Sequence, residues 1–490
     1  MKRLIMTALA IMSVISLTAQ VDDDWSNKIR ESQENARREY EAFRQQAMND
    51  YEGFRRKANE EYATFMEEAW TSFLVNPGEE IPWKPKPVEP VVVQQNPDLT
   101  SDPIEFDGKP IRPKPLESPE PIAPIKPIPR PSDPVLTVGF YGTDILFHYN
   151  PSHAIHLKDA SEKSVASLWR QLSDAYFDNL LAECLRHREE LNLCDWGYVM
   201  LTEQVAEAIC GGHTNESVVL HMFLLTQSGY QMRLARAENH LCVLVGSQEK
   251  IYHYKFFRID GIKYFLFDLS LEGKKFHVFN HSFPKEKLMS LEMKQPKLKV
   301  VETRPRHIAS HRFPKAEATV VLNQNLIDFY NGCPITSKWV NYSKASLSDM
   351  VKDSLYPVLR KVIAGKSETE AANILLDFVQ TGFKYATDQE QFGYERPMFP
   401  DESLYYPYND CEDRAIFYSC LVRELMGLEV VLLDYPDHLA TAVCFKGKVA
   451  GDFVEVDGKR FVVCDPTYIG AGLGLSMPAY KTAKPNVWAF

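Results

Sequence analysis

Residues 427–439 read Gly-Leu-Glu-Val-Val-Leu-Leu-Asp-Tyr-Pro-Asp-His-Leu, and residues 456–465 read Val-Asp-Gly-Lys-Arg-Phe-Val-Val-Cys-Asp. Apolar runs on both sides of Asp457-Gly458 predict a β-hairpin with a tight turn, so that Asp465 ends a strand. His438 opens another apolar run, which predicts a further strand. If the two strands are antiparallel neighbours, the start of one meets the end of the other, and we expect His438 and Asp465 to meet.

The segment before Gly427 begins with Asp-Cys-Glu-Asp-Arg-Ala at residues 410–415 and continues as an apolar-periodic run. This pattern predicts a helix that begins near Cys411 and ends at Gly427. The dipole and N–H groups at a helix N-terminus favour a thiolate and can stabilise an oxyanion. We therefore predict a catalytic triad in which His438 is the base and Asp465 fixes the imidazole tautomer. The acids that flank the cysteine are expected to face water; they are Asp410, Glu412 and Asp413.

These features resemble the transglutaminase-like superfamily, in which a cysteine begins a helix, a glycine ends it and a histidine opens a strand. Here Asp465-Pro466-Thr467 closes the hairpin, and the similarity extends over about residues 376–474. Phe383 and Tyr385 resemble the aromatic positions that precede the family's cysteine, and the sequence around Cys411 is similar to exported Bacteroidetes members. The resemblance implies an α+β papain-like core and acyl transfer through a cysteine acyl-enzyme.

Two parts of the expected site have no clear counterpart in the family pattern. The family often has an aromatic residue soon after its histidine, whereas His438 is followed by Leu-Ala-Thr-Ala. The Cys411 amide is one oxyanion donor, and Gln389 or Gln391 could supply the second. Tyr385 is a further candidate for the oxyanion site or the substrate-facing wall.

The hairpin segment is the second of two copies in the chain. The first copy has Gly229, Asn239-His240, Asp260-Gly261 and Asp268 in the same order. In both copies the histidine follows the glycine by eleven residues, and the last Asp follows the turn's Asp by eight. Sixteen residues before Gly229 stands His213, so the first copy has no thiol at the nucleophile position. We predict that this copy is catalytically silent.

A metal site in the first copy is conceivable but is not our prediction. His213, His240 and Asp268 would offer nitrogen and oxygen ligands that suit zinc. His307 and His311 are a weaker pair of the same kind, because they fall in a predicted linker. We predict no metal ion and no cofactor.

The N-terminus predicts export. Lys2 and Arg3 precede the apolar residues 4–17, and Thr18-Ala19-Gln20 offers a small-residue cleavage site, which is typical of a signal peptide over residues 1–20. A bilayer span needs about 20 apolar residues, so we expect no integral membrane segment and a periplasmic or secreted chain. The net charge of −11 and the lack of a Lys/Arg cluster argue against a nucleic-acid partner. The nine cysteines leave at least one thiol unpaired.

Residues 25–74 repeat every eleven residues, which is three helical turns, and predict a long amphipathic helix. The repeating rows are Tyr40, Tyr51 and Tyr62; Phe43, Phe54 and Phe65; and Ala36, Ala47, Ala58 and Ala69. The apolar stripe serves either self-association or partner binding, as in a coiled coil, or packing on the chain's own globular part. Residues 77–134 contain more than half of the chain's prolines and predict a semi-rigid spacer that separates the helix from the globular part.

The patterns predict an α+β protein with tandem transglutaminase-like domains. The segments are a signal peptide at 1–20, the helix at 21–75, a proline-rich linker at 76–134, a degenerate domain at 135–290, a linker at 291–330 and a catalytic domain at 331–490. One function is an exported cysteine protease or amidase that acts on peptide, protein or cell-wall peptide, with transglutaminase activity less expected because water is the abundant acceptor. The other is a catalytically silent surface or periplasmic adaptor in which Cys411 is a relic.

Overall fold

The computed structural model describes residues 23–81, 90–93, 99, 101–114, 116–125, 132–271, 275–336 and 338–490. The predicted signal peptide at residues 1–20 lies outside these ranges. Two compact units divide within the first helix, Met1–Ala58 and Asn59–Phe490. The fold is α+β with antiparallel sheets. Over the described ranges, no helix has both the length and the hydropathy that a membrane crossing requires.

Helix α1 spans Asp23–Met66 and carries the eleven-residue rows except Ala69. The prediction that this helix extends to residue 75 is wrong, because Thr71–Leu74 form a strand that pairs with residues 275–278. Its last turns belong to the second unit, where the buried ring of Tyr62 packs on other aromatic rings at centroid distances between 4.9 and 5.2 Å. These rings are Trp169, Phe279 and Phe283. This end of the stripe therefore packs on the chain's own globular part, which is one of the two predicted uses. In the first unit the side chain of Tyr40 is 65% exposed, and association through this part stays a prediction.

The first half of the second unit is built on one antiparallel sheet and its helices. Its elements are β1 (Thr71–Leu74), β2 (Val135–Phe140), β3 (Thr143–His148), α2 (Glu162–Leu172), α3 (Phe177–Glu190), α4 (Asp195–Cys210), α5 (Asn215–Gln227), β4 (Met232–Ala237), β5 (His240–Ser247), β6 (Lys255–Ile259), β7 (Ile262–Leu266) and β8 (Lys275–Phe279). The described strands of the sheet pair in the order β1-β8-β4-β5-β7-β6, and β2 and β3 form a separate hairpin.

The second half repeats the plan with more helices. Its elements are β9 (Arg306–Ala309), β10 (Glu317–Val320), α6 (Gln324–Asn331), α7 (Trp339–Ser343), α8 (Asp349–Ile363), α9 (Glu368–Gly382), α10 (Asp388–Gln391), α11 (Pro400–Tyr405), α12 (Cys411–Met426), β11 (Glu429–Tyr435), β12 (His438–Cys444), β13 (Phe453–Val456), β14 (Lys459–Cys464), the 3-10 turn Pro478–Tyr480 and β15 (Asn486–Ala489). Among the described strands the sheet order is β13-β14-β12-β11-β15.

The sequence repeat corresponds to a structural repeat. In each copy a helix, α5 or α12, precedes two antiparallel hairpins, and the sheet orders β6-β7-β5-β4 and β13-β14-β12-β11 are the same. The two Asp-Gly turns also match, because Asp260 and Asp457 both have left-handed φ values, 50° and 52°. Such values at the first turn position are what a two-residue hairpin with right-handed strand twist requires. Both predicted hairpins are therefore present.

Helix α12 is buried along most of its length between the second sheet and other helices. It ends at Met426, and Gly427 follows with a left-handed φ of 66°, which confirms the predicted helix end. Its Ala415 packs with Leu432 of β11 and Leu439 of β12. This contact fixes the N-terminal turn of α12 near the strand that His438 opens.

The described parts of the proline-rich segment do not form the predicted spacer. Ile104 N–H donates to Phe453 O at 2.7 Å, and Ile111 N–H donates to Val487 O at 2.7 Å. These bonds lie at the two edges of the second sheet, β13 and β15. The residues between the prolines retain their N–H groups, and an edge strand offers unpaired carbonyls to any extended neighbour. The segment therefore covers sheet edges and is part of the second unit.

The predicted linker at residues 291–330 also contains regular structure. Strands β9 and β10 pair as an antiparallel hairpin, and α6 begins at Gln324. Ile308, Ala318 and Val320 are buried while their neighbours along the strands are not, which is the alternation of a half-buried hairpin. His307 lies on this hairpin with an exposed side chain, and His311 follows it, also exposed.

Candidate active site

Cys411 is the first residue of α12, and a network of carboxylates surrounds it. Its side chain is buried, and the Sγ–H donates to Glu412 Oε2 at 2.9 Å. Asp413 accepts the N–H of Asp410 at 3.2 Å and the N–H of Met398 at 3.0 Å, which holds the helix start against the preceding loop. The thiol therefore lies at the predicted helix terminus, with the amide groups of the first turn next to it.

The expectation that the flanking acids face water is wrong. Asp410, Glu412 and Asp413 are all buried. Burial, and after it the charge of Glu412, raises the pKa of Asp413 to about 8. Burial and then the charge of Asp413 raise the pKa of Asp388 well above its ordinary value. Asp388 and Asp413 therefore favour the protonated form at neutral pH, while Glu412 accepts the Cys411 thiol.

Three of these carboxylates lie close enough to consider a cation. Oxygens of Asp388, Asp410 and Asp413 lie within 4.8 Å of one another. Asp388, however, already accepts the Arg396 N–H at 2.6 Å, and both oxygens of Asp413 accept backbone N–H groups. The raised pKa values also favour shared protons over a bound ion. The cluster fits a proton-sharing structural role.

His438 and Asp465 meet as the strand register predicts. Strands β12 and β14 pair Thr441 with Cys464, which brings the start of one strand beside the end of the other. His438 Nε2 lies 2.9 Å from Asp465 Oδ2, and both side chains are buried. Within the described part of the chain, His438 Nδ1 is buried without a hydrogen-bond partner. With Nε2 as the donor to Asp465, Nδ1 carries the lone pair of a neutral imidazole.

Tyr480 lies against the imidazole of this pair. Its ring stacks on His438 at a centroid distance of 4.8 Å and an interplanar angle of 20°, and its hydroxyl donates to Asp437 Oδ1 at 3.1 Å. Burial raises the pKa of Tyr480 above its ordinary value, and the negative charges of Asp437, Cys411 and Asp465 add to that effect in this order. Tyr480 therefore packs on His438, and its pKa responds to the charges of Cys411 and Asp465. Its ring is a candidate for the aromatic wall that the sequence after His438 lacks.

No protein-family model, curated protein or solved structure matches the chain.

The predicted oxyanion candidates have different surroundings. Gln391 donates its amide to Tyr408 O at 3.3 Å and accepts the Tyr408 N–H at 3.2 Å, so it braces the loop before the cysteine. Gln389 is exposed. Tyr385 is half-buried, and burial followed by the charge of Cys411 raises its pKa, which makes it a neighbour of the sulfur. Of the three, Tyr385 is the residue whose pKa responds to the charge of Cys411.

Gln380 is a positioning residue that the sequence analysis missed. It is buried on α9, and its Nε2 group donates to the carbonyls of Asp465, Tyr468 and Ala471 at 3.0, 2.8 and 3.1 Å. Its Oε1 accepts the Gly470 N–H at 3.3 Å. One amide thus fixes the loop that follows the triad acid. The signal in the sequence was a polar residue on the buried side of a periodic helix, where Asp377 is also buried.

The first copy joins different residues. His213 Nε2 lies 3.3 Å from Asp268 Oδ2, and its Nδ1 lies 2.8 Å from Glu207 Oε1. His240 opens β5 with an exposed side chain, and among the described residues it forms no hydrogen bond or ion pair with Asp268. The structure therefore brings together His213 and Asp268 of the predicted set but not the exposed His240. Glu207 takes the place of the missing member.

Proposed function

We propose that the chain is an exported thiol hydrolase of the transglutaminase-like superfamily, a cysteine protease or amidase. Cys411 is the nucleophile, His438 the base and Asp465 the residue that orients the imidazole. The observation that carries the proposal is the buried His438, whose Nε2 contacts Asp465 while Nδ1 has no partner in the described part of the chain. An unsatisfied buried acceptor is costly in a structural histidine and useful in a base.

The reaction follows from these groups. The Cys411 proton moves to His438 Nδ1, and the thiolate attacks the amide carbonyl to form a C–S bond. The C–N bond breaks as His438 returns the proton to the departing amine. Water, deprotonated by the same imidazole, then cleaves the thioester and releases the carboxylic acid. N–H groups of the first turn of α12 and the Tyr385 hydroxyl are the donors for the oxyanion.

In this proposal the resting Cys411 thiol is hydrogen-bonded to Glu412. Its proton is donated to Glu412 Oε2, so the productive step requires the side chain to leave that acceptor for the imidazole. Substrate binding would require a rearrangement of the residues that cover Cys411, because its side chain is only 3% exposed. The closed site is also the observation that favours the alternative, a catalytically silent adaptor.

Selective labelling separates the two functions. The full chain is treated with iodoacetamide at pH 6, and the modified cysteines are identified by mass spectrometry. We expect Cys411 to react faster than Cys210 and Cys444, which are more exposed, because burial raises the pKa of both control thiols. His438→Ala should abolish that difference. Equal rates for all three thiols, unchanged by His438→Ala, would leave the adaptor as the function.

The substrate class is tested with a mixed library of peptides and cell-wall peptides. Wild type and Cys411→Ala are incubated with the library, and the products are compared by mass spectrometry. New amines and acids in the wild-type sample alone identify a hydrolase, and cross-linked products identify a transglutaminase. Identical product profiles would contradict the enzyme proposal.

A further inference from the structure

A small cavity of about 40 Å³ lies in the first copy, beside His213 and Asp268. Helices α4 and α5, strand β5 and the two residues that follow β7 form its walls. Its titratable lining residues are Glu203, Glu207, His213, His221 and Asp268. This volume can hold one ion or one water molecule.

Three of these side chains converge on one point. Glu203 and Glu207 lie one turn apart on α4, so they project from the same face. One oxygen of each and one nitrogen of His213 lie within 4.8 Å of one another. Ligands of a tetrahedral zinc ion lie about 3.4 Å apart, given bonds of about 2.1 Å. Small side-chain movements therefore suffice to form a site.

The other nitrogen of His213 has the partner that metal-bound histidines usually have. Its Nε2 lies 3.3 Å from Asp268 Oδ2, which leaves Nδ1 on the side of Glu207. A carboxylate that accepts the outer N–H fixes the tautomer and the ring orientation of a ligand histidine. Asp268 is placed for that role.

His221 is an independent observation at the same cavity. Its side chain is buried, and Nε2 donates to Val199 O at 3.1 Å. Among the residues that the structure describes, Nδ1 has no hydrogen-bond partner, and the ring lines the cavity. Because Nε2 donates to a carbonyl oxygen, Nδ1 is the nitrogen that can offer a lone pair. A buried neutral imidazole fixed by a backbone carbonyl is the form that binds a metal ion or accepts from its bound water.

The geometry points to a divalent transition-metal site, of the zinc class, formed by Glu203, Glu207 and His213. Asp268 orients His213, and His221 completes the coordination directly or through water. The nitrogen ligands select against Mg²⁺ and Ca²⁺, which bind oxygen. The site is independent of hydrolysis at Cys411. In this proposal the first copy uses His213, the residue aligned with Cys411, as a metal ligand.

Binding is tested on the full chain after removal of metal with a chelator. Co²⁺ is the probe, followed by displacement with Zn²⁺, because cobalt spectra distinguish nitrogen and oxygen ligands from thiolates. We expect one equivalent of Co²⁺ without a thiolate charge-transfer band. Glu207→Gln and His213→Gln should each weaken binding at least tenfold, and Asp268→Asn about tenfold or more.

The matched control removes a similar pair elsewhere. His307 and Glu317 form an exposed pair at 3.8 Å on the β9–β10 hairpin, and His307→Gln with Glu317→Gln should leave binding unchanged. Circular dichroism checks that every variant is folded. The proposal is overturned if Co²⁺ binds with a thiolate band, if no equivalent binds, or if Glu207→Gln binds as wild type does. Those outcomes would leave the His213 cluster as an ion-pair network only.

Discussion

In the second copy the acid that ends the hairpin, Asp465, contacts His438 from the neighbouring strand. In the first copy the aligned acid, Asp268, contacts His213 from the loop before the helix. The helix starts explain the difference, because α12 begins at Cys411 whereas α5 begins at Asn215, two residues after His213. The same sheet therefore presents its acid to a buried strand histidine in one copy and to a half-exposed loop histidine in the other. The comparison teaches that the sheet places the acid in the same position in both copies, while the histidine that the acid contacts comes from a different element in each.

The largest expected effect comes from replacing the aligned acids of the two copies, Asp465 and Asp268. Asp465→Asn removes the carboxylate that selects the His438 tautomer, and we expect the hydrolysis rate to fall about 10³–10⁴-fold. Asp268→Asn is the matched change in the first copy and should leave hydrolysis unchanged. Turnover of a cleaved peptide from the library measures both. Similar losses in the two variants would mean that the first copy takes part in the reaction.

The next largest effect is a loss of folding stability in the variant Gln380→Leu. Gln380→Leu leaves the carbonyls of Asp465, Tyr468 and Ala471 without their common donor in a buried site. We expect the free energy of unfolding to fall by about 1–3 kcal/mol, measured by denaturant titration. The exposed Gln389→Leu is the control and should change it by less than about 0.5 kcal/mol. If Gln380→Leu is as stable as the Gln389→Leu control, the Gln380 hydrogen bonds do not stabilise the loop that follows Asp465.

The local pattern was enough to predict the hairpins, the end of α12 at Gly427 and the meeting of His438 with Asp465. Each depends on a turn, a cap or a strand register that neighbouring residues determine. Tyr480 was not predictable, because it lies far along the chain in a segment without periodicity. The burial of Asp413 was also missed, since an acid at a helix start usually faces water and only the packing of the 388–398 segment covers it. The pairing of the proline-rich segment with the sheet edges was also missed, because the strands that it contacts lie more than 300 residues later in the chain.

The pH dependence of stability tests the buried acids of both copies. The pKa of Asp413 is raised to about 8, against about 3.9 in an unfolded chain. Between these values the folded state retains a proton that the unfolded state has lost, so this group makes the free energy of unfolding fall as pH rises from about 4 to about 8. Asp413→Asn should therefore lose less thermal stability than wild type between pH 5 and pH 8, measured by calorimetry.

Glu203 gives the matched variant in the first copy. Burial, and after it the charge of Glu207, raises the pKa of Glu203 to about 7. Glu203→Gln should flatten the stability profile of the metal-free chain from about pH 4 to pH 7 and leave it unchanged above that range. If both variants keep the wild-type slope, the two acids are ionised in the folded protein and the copies do not share this feature.

The smallest effect concerns the hydroxyl of Tyr480. Tyr480→Phe keeps the ring stacked on His438 and removes the bond to Asp437, which is worth about 0.5–1.5 kcal/mol. Because the hydroxyl anchors the wall and does not touch the proposed reacting atoms, we expect kcat to stay constant and KM to change about threefold. Tyr480→Ala removes the wall itself and should raise KM about tenfold or more. Phe267→Leu in the first-copy cavity is the control and should change neither constant. A loss of kcat in Tyr480→Phe would instead assign the hydroxyl to the chemistry, as a second oxyanion donor beside Tyr385.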